Sequence, residues 1–273
     1  MSPFECSVHT HSTFCDGRDT LEKMMEVAYT TGVRYYGASS HSHTPWEEEQ
    51  DFVLPRDLTP YREEVMRLRE QYEGKMEVLY GLEWDSHSVD LPPEDLDYWI
   101  GSVHSVKKHG LQICVDMDAN HLQWGCNEFF GGDFLSLVEA YYDEVARVAA
   151  MKPTILGHID LITKLNKGNR FFDPDAPRYR RAALDALHAI DTSTTALEIN
   201  TGAVARGYCF VPYPARFLLK EWCAMDGEVI VTADAHAARS VTYAYGCGLA
   251  QVRAVGYHHT VILTRDGFKS CTV

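Results

Sequence analysis

The stretch Val8-His9-Thr10-His11-Ser12-Thr13-Phe14-Cys15-Asp16-Gly17 lies near the start of the chain and governs how the rest is interpreted. The residues before it, from Glu5 to Val8, alternate as a β-strand does. Side chains two positions apart on a strand share a face, so His9 and His11 are expected to point the same way at the strand's end. Such a pair can chelate a transition metal. The interpretation depends on whether later strands also end in metal ligands.

Length and charge limit the classes of protein. The 273 residues fit one domain, which we place at 1–273, and they can bury a full core. The 25 basic and 39 acidic residues give a net charge of −14. This balance argues against nucleic acid or an anionic membrane as a partner. It is compatible with an anionic substrate, because bound metal ions can reverse the local field.

Cysteine usage and hydropathy indicate the compartment. None of the eight cysteines forms a Cys-x-x-Cys pair, and several lie in apolar segments, so we expect reduced and mostly buried thiols. The sequence shows neither an apolar run of signal-peptide length after Met1 nor a membrane span. We therefore expect a cytoplasmic protein.

A repeating order of strand, ligand-type residue and helix runs along the chain. After the first strand, the predicted strands are Val33–Ser39, Met76–Leu82, Leu96–Val103, Thr154–Gly157, Ala196–Ile199 and Glu228–Thr232, with a closing strand at His259–Leu263. The predicted helices are Thr20–Thr31, Tyr61–Tyr72, Phe134–Met151, Pro177–Ile190 and Pro214–Met225. Alternating strands and helices predict an α/β fold with a parallel sheet. Seven strands with functional residues at their carboxyl ends favour a distorted (β/α)7 barrel over an open sheet.

Two segments do not follow this pattern. Thr44–Leu58 is polar and contains two prolines, which is typical of a loop. Lys107–Asp133 has no clear period and predicts a long irregular loop over the site.

Metal-competent side chains follow most of the predicted strands. The candidate ligands are His9, His11, Asp16, His41, Glu83, His104, His158, Asp234 and His236. Any one of these histidines alone is better explained as a hydrogen-bonded structural residue, but their joint placement favours ligands. Six histidines and three carboxylates exceed the needs of one ion, so two or three divalent ions, Zn, Mn or Fe, are expected. A multinuclear centre of this kind favours hydrolysis, especially of a phosphate ester.

The ordered set of motifs resembles the PHP (polymerase and histidinol phosphatase) superfamily, and more closely its histidinol-phosphate phosphatases. It comprises His9-x-His11 with Asp16-Gly17, His41, Gly81-Leu82-Glu83, Gly101-Ser102-Val103-His104, Gly157-His158-Ile159-Asp160, Glu198-Ile199-Asn200-Thr201 and Asp234-Ala235-His236. The resemblance spans about Phe4 to Gly256. It implies a distorted barrel, a trinuclear metal centre at the carboxyl ends of the strands, and hydrolysis of L-histidinol phosphate in histidine biosynthesis.

The resemblance also implies how the ligands are shared. The first metal would take His9, His11, Glu83 and Asp234; the second Glu83, His104 and His158; the third Asp16, His41 and His236. A hydroxide held between metals would attack phosphorus. The candidates for a catalytic role are Asp16, Asp234 and His236, with Asp234 or His236 helping to move protons.

Substrate binding is predicted from residue chemistry. The phosphate needs cationic partners beyond the metals, and Arg206, Lys164 and His43 lie in segments that follow strands. L-Histidinol phosphate, the substrate that the resemblance implies, also carries an amine and an imidazole. Carboxylates and aromatic faces in the pocket would bind these groups. Asp51, Glu128, Trp46, Trp124 and Phe129 in the two irregular segments are the candidates for these contacts.

Three other functions remain open from the sequence. A PHP phosphoesterase for another small phosphate ester or nucleotide would have the same metal set and different loops. An amidohydrolase-like enzyme would share His9-x-His11 and a late aspartate, but it would not need Asp16, His41 and His236 together. A non-catalytic binding module predicts ligand losses, whereas all nine ligand positions are filled. The oligomeric state is not indicated.

Overall fold

The computed structural model describes residues 1–44 and 53–273. Its strands are β1 (Cys6–Ser7), β2 (Tyr35–Ala38), β3 (Glu77–Asp85), β4 (Tyr98–Ser102), β5 (Ser105–Lys108), β6 (Leu111–Cys114), β7 (Ile155–Leu156), β8 (Ala196–Asn200), β9 (Val229–Thr232), β10 (His259–Thr264) and β11 (Gly267–Thr272). Its helices are α1 (Leu21–Thr30), α2 (Thr59–Gln71), α3 (Ala119–Phe130), α4 (Phe134–Ala149), α5 (Pro177–His188), α6 (Gly202–Ala205), α7 (Arg216–Ala224) and α8 (Tyr245–Ala254).

Most of the strands form one parallel sheet. Its order is β1-β2-β3-β4-β7-β8-β9-β10-β11, and only the last pair, β10 and β11, is antiparallel. Helices connect most of the successive parallel strands, as the alternating pattern predicts, whereas a segment without a helix joins β3 to β4. The α/β fold is therefore confirmed, and each predicted strand corresponds to an observed one.

The sheet curls so that its first and seventh parallel strands approach each other. The hydrogen-bond ladder between the named strands remains open. Just beyond β1 and β9, the His11 amide donates to the carbonyl of Ala235 at 2.9 Å, and the Ala235 amide donates to the carbonyl of His9 at 3.0 Å. Nearer the amino end, β10 pairs with β9, and Cys6 Sγ in β1 lies 4.0 Å from the carbonyl oxygen of Leu263 in β10. This strongly distorted curl brings the carboxyl ends of distant strands to one place.

Helix α1 shows why these segments fold as they do. The Thr20 side chain caps it by accepting from the amide of Lys23. Its buried residues, Leu21, Met24, Met25 and Ala28, follow the spacing of one helical face. Such faces pack against the outside of the sheet, while a second apolar cluster from β3, β4, β7, β8, β9 and β10 fills its inside. Five of the eight cysteines are buried, as expected.

The interpretation of Lys107–Asp133 as an irregular loop was wrong. The segment contains most of the β5–β6 hairpin and the whole of α3, which follows the hairpin. His109 and Gly110 form the tight turn, with φ of 50° and 82°. Asp118 caps the start of α3, and Gly131 ends it in the left-handed conformation at φ 61°. These local signals compensate for the weak hydrophobic period.

Membrane insertion of a helix finds no support in the described ranges. None of the helices in residues 1–44 and 53–273 combines the length and apolar character that a bilayer span requires.

Candidate metal centre

All nine predicted ligands converge at the carboxyl end of the sheet. Their donor atoms form four overlapping groups in which the atoms lie within 4.8 Å of one another. The groups are His11, Asp16, His41 and His236; His9, His11 and Asp234; His9, Glu83 and His158; and His41, Glu83 and His104. His9, His11, His41 and Glu83 each belong to two groups, so the cluster is continuous.

Glu83 lies at the centre of the cluster. Strand β3 continues past its predicted end to Asp85, so Glu83 belongs to the strand itself. Its Oε2 lies 3.2 Å from His9 Nε2, 3.3 Å from His11 Nε2 and 2.9 Å from His41 Nδ1, and its Oε1 lies 2.9 Å from His158 Nε2 and 3.4 Å from His104 Nε2. Burial alone would raise the pKa of Glu83, but the surrounding histidines hold that pKa well below its usual range. The carboxyl is therefore ionised and can bridge two cations.

Asp16 anchors the outer side of the cluster. Its Oδ2 lies 3.0 Å from His236 Nε2, and its Oδ1 lies 3.5 Å from His41 Nε2. Gly17 makes this placement possible, because a Cβ there would lie 2.4 Å from the Ser12 amide nitrogen. The Asp16-Gly17 dipeptide thus has a steric reason: the chain folds back tightly on the His11 segment.

Asp234 is held in an unusual backbone conformation. Its φ is 46°, a left-handed conformation that only a few per cent of non-glycine residues adopt. The conformation directs Oδ1 to within 3.3 Å of His11 Nε2 and 3.4 Å of His236 Nδ1. Gly202 makes room for it, since a Cβ there would lie 2.9 Å from Asp234 Oδ2.

The cluster has the chemistry of a divalent metal site. Several of its buried nitrogen and oxygen atoms have close neighbours but make no hydrogen bond of suitable geometry: His9 Nε2, His11 Nε2, Asp16 Oδ1 and Glu83 Oε2. Buried polar atoms are normally paired, so four such atoms facing one another have the chemistry of a shared cation site. Carboxylates also raise the pKa of His9 and His104 well above the usual value, although burial opposes protonation. The residues present therefore fit divalent metal ions held by imidazole and carboxylate groups.

Two further carboxylates, to which the sequence assigned no role, bond to the candidate ligands and orient them. Glu198 Oε1 accepts from His9 Nδ1 at 2.5 Å, and Glu198 Oε2 accepts from the amide of His158 at 2.6 Å. Asp85 accepts from His104 Nδ1 at 3.0 Å. A metal-binding histidine commonly donates its other ring nitrogen to a carboxylate, which fixes the tautomer. The signal was present for Glu198, as an ionisable residue in the otherwise apolar run Ala196–Ile199.

The predicted phosphate-binding residues divide into two groups. Arg206 and Lys164 line a cavity of about 250 Å³ together with Asp16, His41, His104, His158, Asp234 and His236. Arg206 Nη2 lies 2.9 Å from Asp234 Oδ2, and Lys164 Nζ lies 2.7 Å from Asp116 Oδ2. His43 lies elsewhere: its Nδ1 is 3.3 Å from the Leu54 carbonyl, and it lines a separate cavity of about 170 Å³ with Arg56 and Asp90.

The predicted contacts to an amine or imidazole are mostly absent from the described cavity walls. Trp124, Glu128 and Phe129 belong to α3. They line neither the 250 Å³ cavity nor the adjoining cavity of about 430 Å³ that Asp16, His41 and His104 also line. Trp46 and Asp51 lie outside the described residues. Asp116 and Tyr208, which sequence reasoning missed, line the cavity instead.

Comparisons with known proteins agree with this geometry. The family model of the PHP domain matches residues 7–202. The histidinol-phosphatase of Bacillus subtilis (strain 168) is 26% identical over 263 residues, which cover 87% of this chain and 95% of the relative. The hisK protein of Listeria monocytogenes has a similar fold, with a TM-score of 0.72 at 19% identity over 88% of this chain and 98% of that chain.

A second solved structure carries ligands. It is the histidinol phosphate phosphatase of Lactococcus lactis subsp. lactis Il1403, complexed with zinc, L-histidinol and phosphate. Its TM-score is 0.62 at 16% identity, covering 97% of this chain and 99% of that chain. At this identity the likeness establishes the fold.

Proposed function

The chain belongs to the PHP domain family, and from that premise we propose that it is a metal-dependent phosphomonoesterase that hydrolyses L-histidinol phosphate to L-histidinol and phosphate. The relative from B. subtilis is named for this activity. The fold neighbour from L. lactis binds zinc and both products of the reaction. These comparisons support a phosphatase, and the substrate assignment is our inference for this chain.

One observation carries the proposal: nine imidazole and carboxylate side chains meet at one end of the sheet with buried donor atoms that lack partners. A structural cluster of this size would pair its buried polar atoms internally. The unpaired atoms His9 Nε2, His11 Nε2, Asp16 Oδ1 and Glu83 Oε2 face the places where cations fit. A multinuclear metal centre explains all four.

We assign the ligands to three divalent ions. His9, His11, Glu83 and Asp234 would hold the first; Glu83, His104 and His158 the second; and Asp16, His41 and His236 the third. His11 also faces the third set, because its Nδ1 lies 3.7 Å from Asp16 Oδ1. Bound divalent ions supply a nucleophilic water at neutral pH and positive charge for the phosphoryl oxygens.

The remaining residues of the cavity bind and orient the substrate. The guanidinium of Arg206 matches a phosphate bidentately, and Lys164 supplies a second positive charge. Asp234 contacts the cluster through Oδ1 and Arg206 through Oδ2, so it couples phosphate binding to the metal site. Asp234 and His236 are our candidates to deliver a proton to the departing alcohol.

The proposal predicts that hydrolysis requires both the ions and Asp234. Protein loaded with Zn or Mn should release phosphate from L-histidinol phosphate, and removal of the ions should abolish release until they are returned. Asp234→Asn should reduce kcat by roughly 10³-fold or more, since it weakens a ligand in a strained and specific position. Circular dichroism of the variant verifies that the fold is retained, and its metal content is measured separately. Normal turnover in Asp234→Asn would reject the metal assignment.

A further inference from the structure

An ion pair that the metal ligands do not require lies at the edge of the cavity. Asp116 follows β6, and Lys164 follows the short 3-10 turn Leu161–Thr163. Asp116 Oδ2 accepts from Lys164 Nζ at 2.7 Å, and the two side chains are 21% and 10% exposed. Both residues line the 250 Å³ cavity and an adjoining cavity of about 430 Å³. The pair therefore contacts any substrate that fills the cavity beside the candidate metal ligands.

Asp116 has the wrong charge for a phosphate site. Burial would raise its pKa, but Lys164, whose Nζ lies 2.7 Å from Oδ2, holds that pKa well below its usual range, so the group is an anion at neutral pH. A carboxylate near the phosphate repels it, because like charges interact strongly in a partly desolvated cavity. Its presence is explained if it binds a positive charge on the substrate.

The substrate chemistry supplies that charge. On the basis of the proposed phosphatase function, we propose that Asp116 is a specificity-determining residue that binds the cationic nitrogen of the substrate. Lys164 then exchanges its carboxylate partner for the phosphate. The site thereby selects phosphate monoesters that carry an ammonium group a few bonds from the ester oxygen.

Charge pairing gives the physical reason for this selection. An aminoalkyl phosphate brings an anion for Lys164 and a cation for Asp116, so both members of the ion pair remain paired. A phosphate ester whose alcohol part carries no cation, such as p-nitrophenyl phosphate, draws Lys164 away and leaves Asp116 without a cationic partner. An unpaired, partly buried charge is strongly unfavourable. The flexible stem of lysine permits the exchange, and Lys164 Nζ already lies 4.9 Å from the ring centroid of Tyr208 on the cavity wall.

The test compares two substrates in one variant. In Asp116→Asn, kcat/KM for L-histidinol phosphate divided by kcat/KM for p-nitrophenyl phosphate should fall by about 10-fold to 100-fold, the usual effect of removing one partner of a desolvated charge pair. Asp118→Asn is the matched control: it lies two residues away, caps α3 and lines neither cavity, and asparagine also caps helices well. The ratio should not change in this control. An unchanged ratio in Asp116→Asn, or an equal loss for both substrates, would overturn the assignment.

A second measurement uses the unmodified protein and does not depend on whether the variant folds. L-Histidinol should inhibit at least about 10-fold more strongly than 3-(imidazol-4-yl)propan-1-ol, which has the same skeleton without the amine. Equal inhibition would overturn the role of Asp116 while leaving the phosphatase function intact. Failure of the protein to release phosphate from any ester would instead reject the proposed function, and this assignment with it.

Discussion

At the scale of single residues, the candidate metal site depends on buried carboxylates that bond to the candidate ligands from behind. Glu198 is fully buried and accepts four hydrogen bonds, from His9 Nδ1, the His158 amide, Asn200 Nδ2 and Thr232 Oγ1. It therefore fixes the orientation of one ligand ring and the backbone of another. Removing its charge should affect metal binding through those two residues.

Glu198→Gln is expected to weaken metal binding by about 10-fold to 100-fold. The amide nitrogen that replaces one oxygen cannot accept, so at least one of the four donors loses its partner. A titration against a competing chelator measures the affinity. Glu221→Gln is the matched control, because Glu221 pairs with His188 at 2.8 Å on the exposed surface. Equal affinities in Glu198→Gln and the unmodified protein would contradict the orienting role.

Arg206→Ala is expected to raise KM for phosphate esters by roughly 10-fold or more, because a bidentate partner of the phosphate is lost. Since Arg206 also contacts Asp234 Oδ2, metal content is measured in the same variant and should change less than KM. Arg178→Ala provides the control, since Arg178 is half-buried at the surface, pairs with Asp133 and Glu139 and lines neither cavity at the cluster. An unchanged KM would exclude Arg206 from the phosphate site.

The convergence of the nine candidate ligands could be predicted because each belongs to a motif at or near a strand's carboxyl end, which the alternating pattern locates. The roles of Glu198, Asp85 and Asp116 could not be predicted. Those roles depend on which side chains come within hydrogen-bond distance after folding, and sequence spacing does not contain that information. His43 shows the reverse case: it lies two residues from His41 but lines a different cavity.

At the scale of elements, glycines in the central strands make room for a tyrosine inside the curled sheet. A Cβ on Gly81 of β3 would lie 2.2 Å from Tyr98 Cε1, and a Cβ on Gly37 of β2 would lie 2.2 Å from the Tyr98 hydroxyl. That hydroxyl donates to the carbonyl of Val8 at 2.5 Å. Tyr98 thus packs against β2 and β3 and bonds to Val8, the residue before the candidate ligand His9.

Gly81→Ala is expected to lower the free energy of unfolding by about 1–3 kcal/mol, since the added methyl overpacks a closely packed interior. Urea denaturation followed by circular dichroism measures this. Gly246→Ala is the matched control: Gly246 lies in α8, its added Cβ would contact nothing within 4 Å, and alanine favours a helix. Equal stability of the two variants would contradict the packing argument.

The elements were predictable where hydrophobic periodicity was strong. α1 begins within one residue of its predicted start because an apolar stripe and a capping threonine agree. The β5–β6 hairpin and α3 were missed because their turn and cap residues were not weighed against the weak period of Lys107–Asp133. β3 extends to Asp85, three residues beyond its predicted end at Leu82. Polar residues such as Glu83 and Asp85 usually mark the end of a buried strand, but here they are buried among the candidate ligands.

At the scale of the whole molecule, the curled sheet gathers ligands from residues 9 to 236 into one cluster. No short segment can form this site alone, so metal binding requires the folded chain. Binding therefore stabilises the native state relative to the unfolded chain. The net charge of −14 adds to the benefit of bound cations.

Metal removal is therefore expected to lower Tm. Ions at about 1,000 times their Kd contribute about 4 kcal/mol per site, which corresponds to several degrees in a chain of this size. Thermal unfolding before and after chelation, with the metal returned in a third sample, measures the effect. Asp234→Asn should respond less than the unmodified protein. An identical Tm in all three samples would contradict a metal centre coupled to folding.

The most direct test of the central claim is the specificity constant for L-histidinol phosphate beside a panel of other phosphomonoesters, including nucleotides, using Mn- or Zn-loaded protein. We predict a value for L-histidinol phosphate far above the rest of the panel and within the usual enzymatic range of about 10⁴ to 10⁸ M⁻¹s⁻¹. Weak and indiscriminate release across the panel would contradict the substrate assignment, and release from none of the esters would contradict the phosphatase itself.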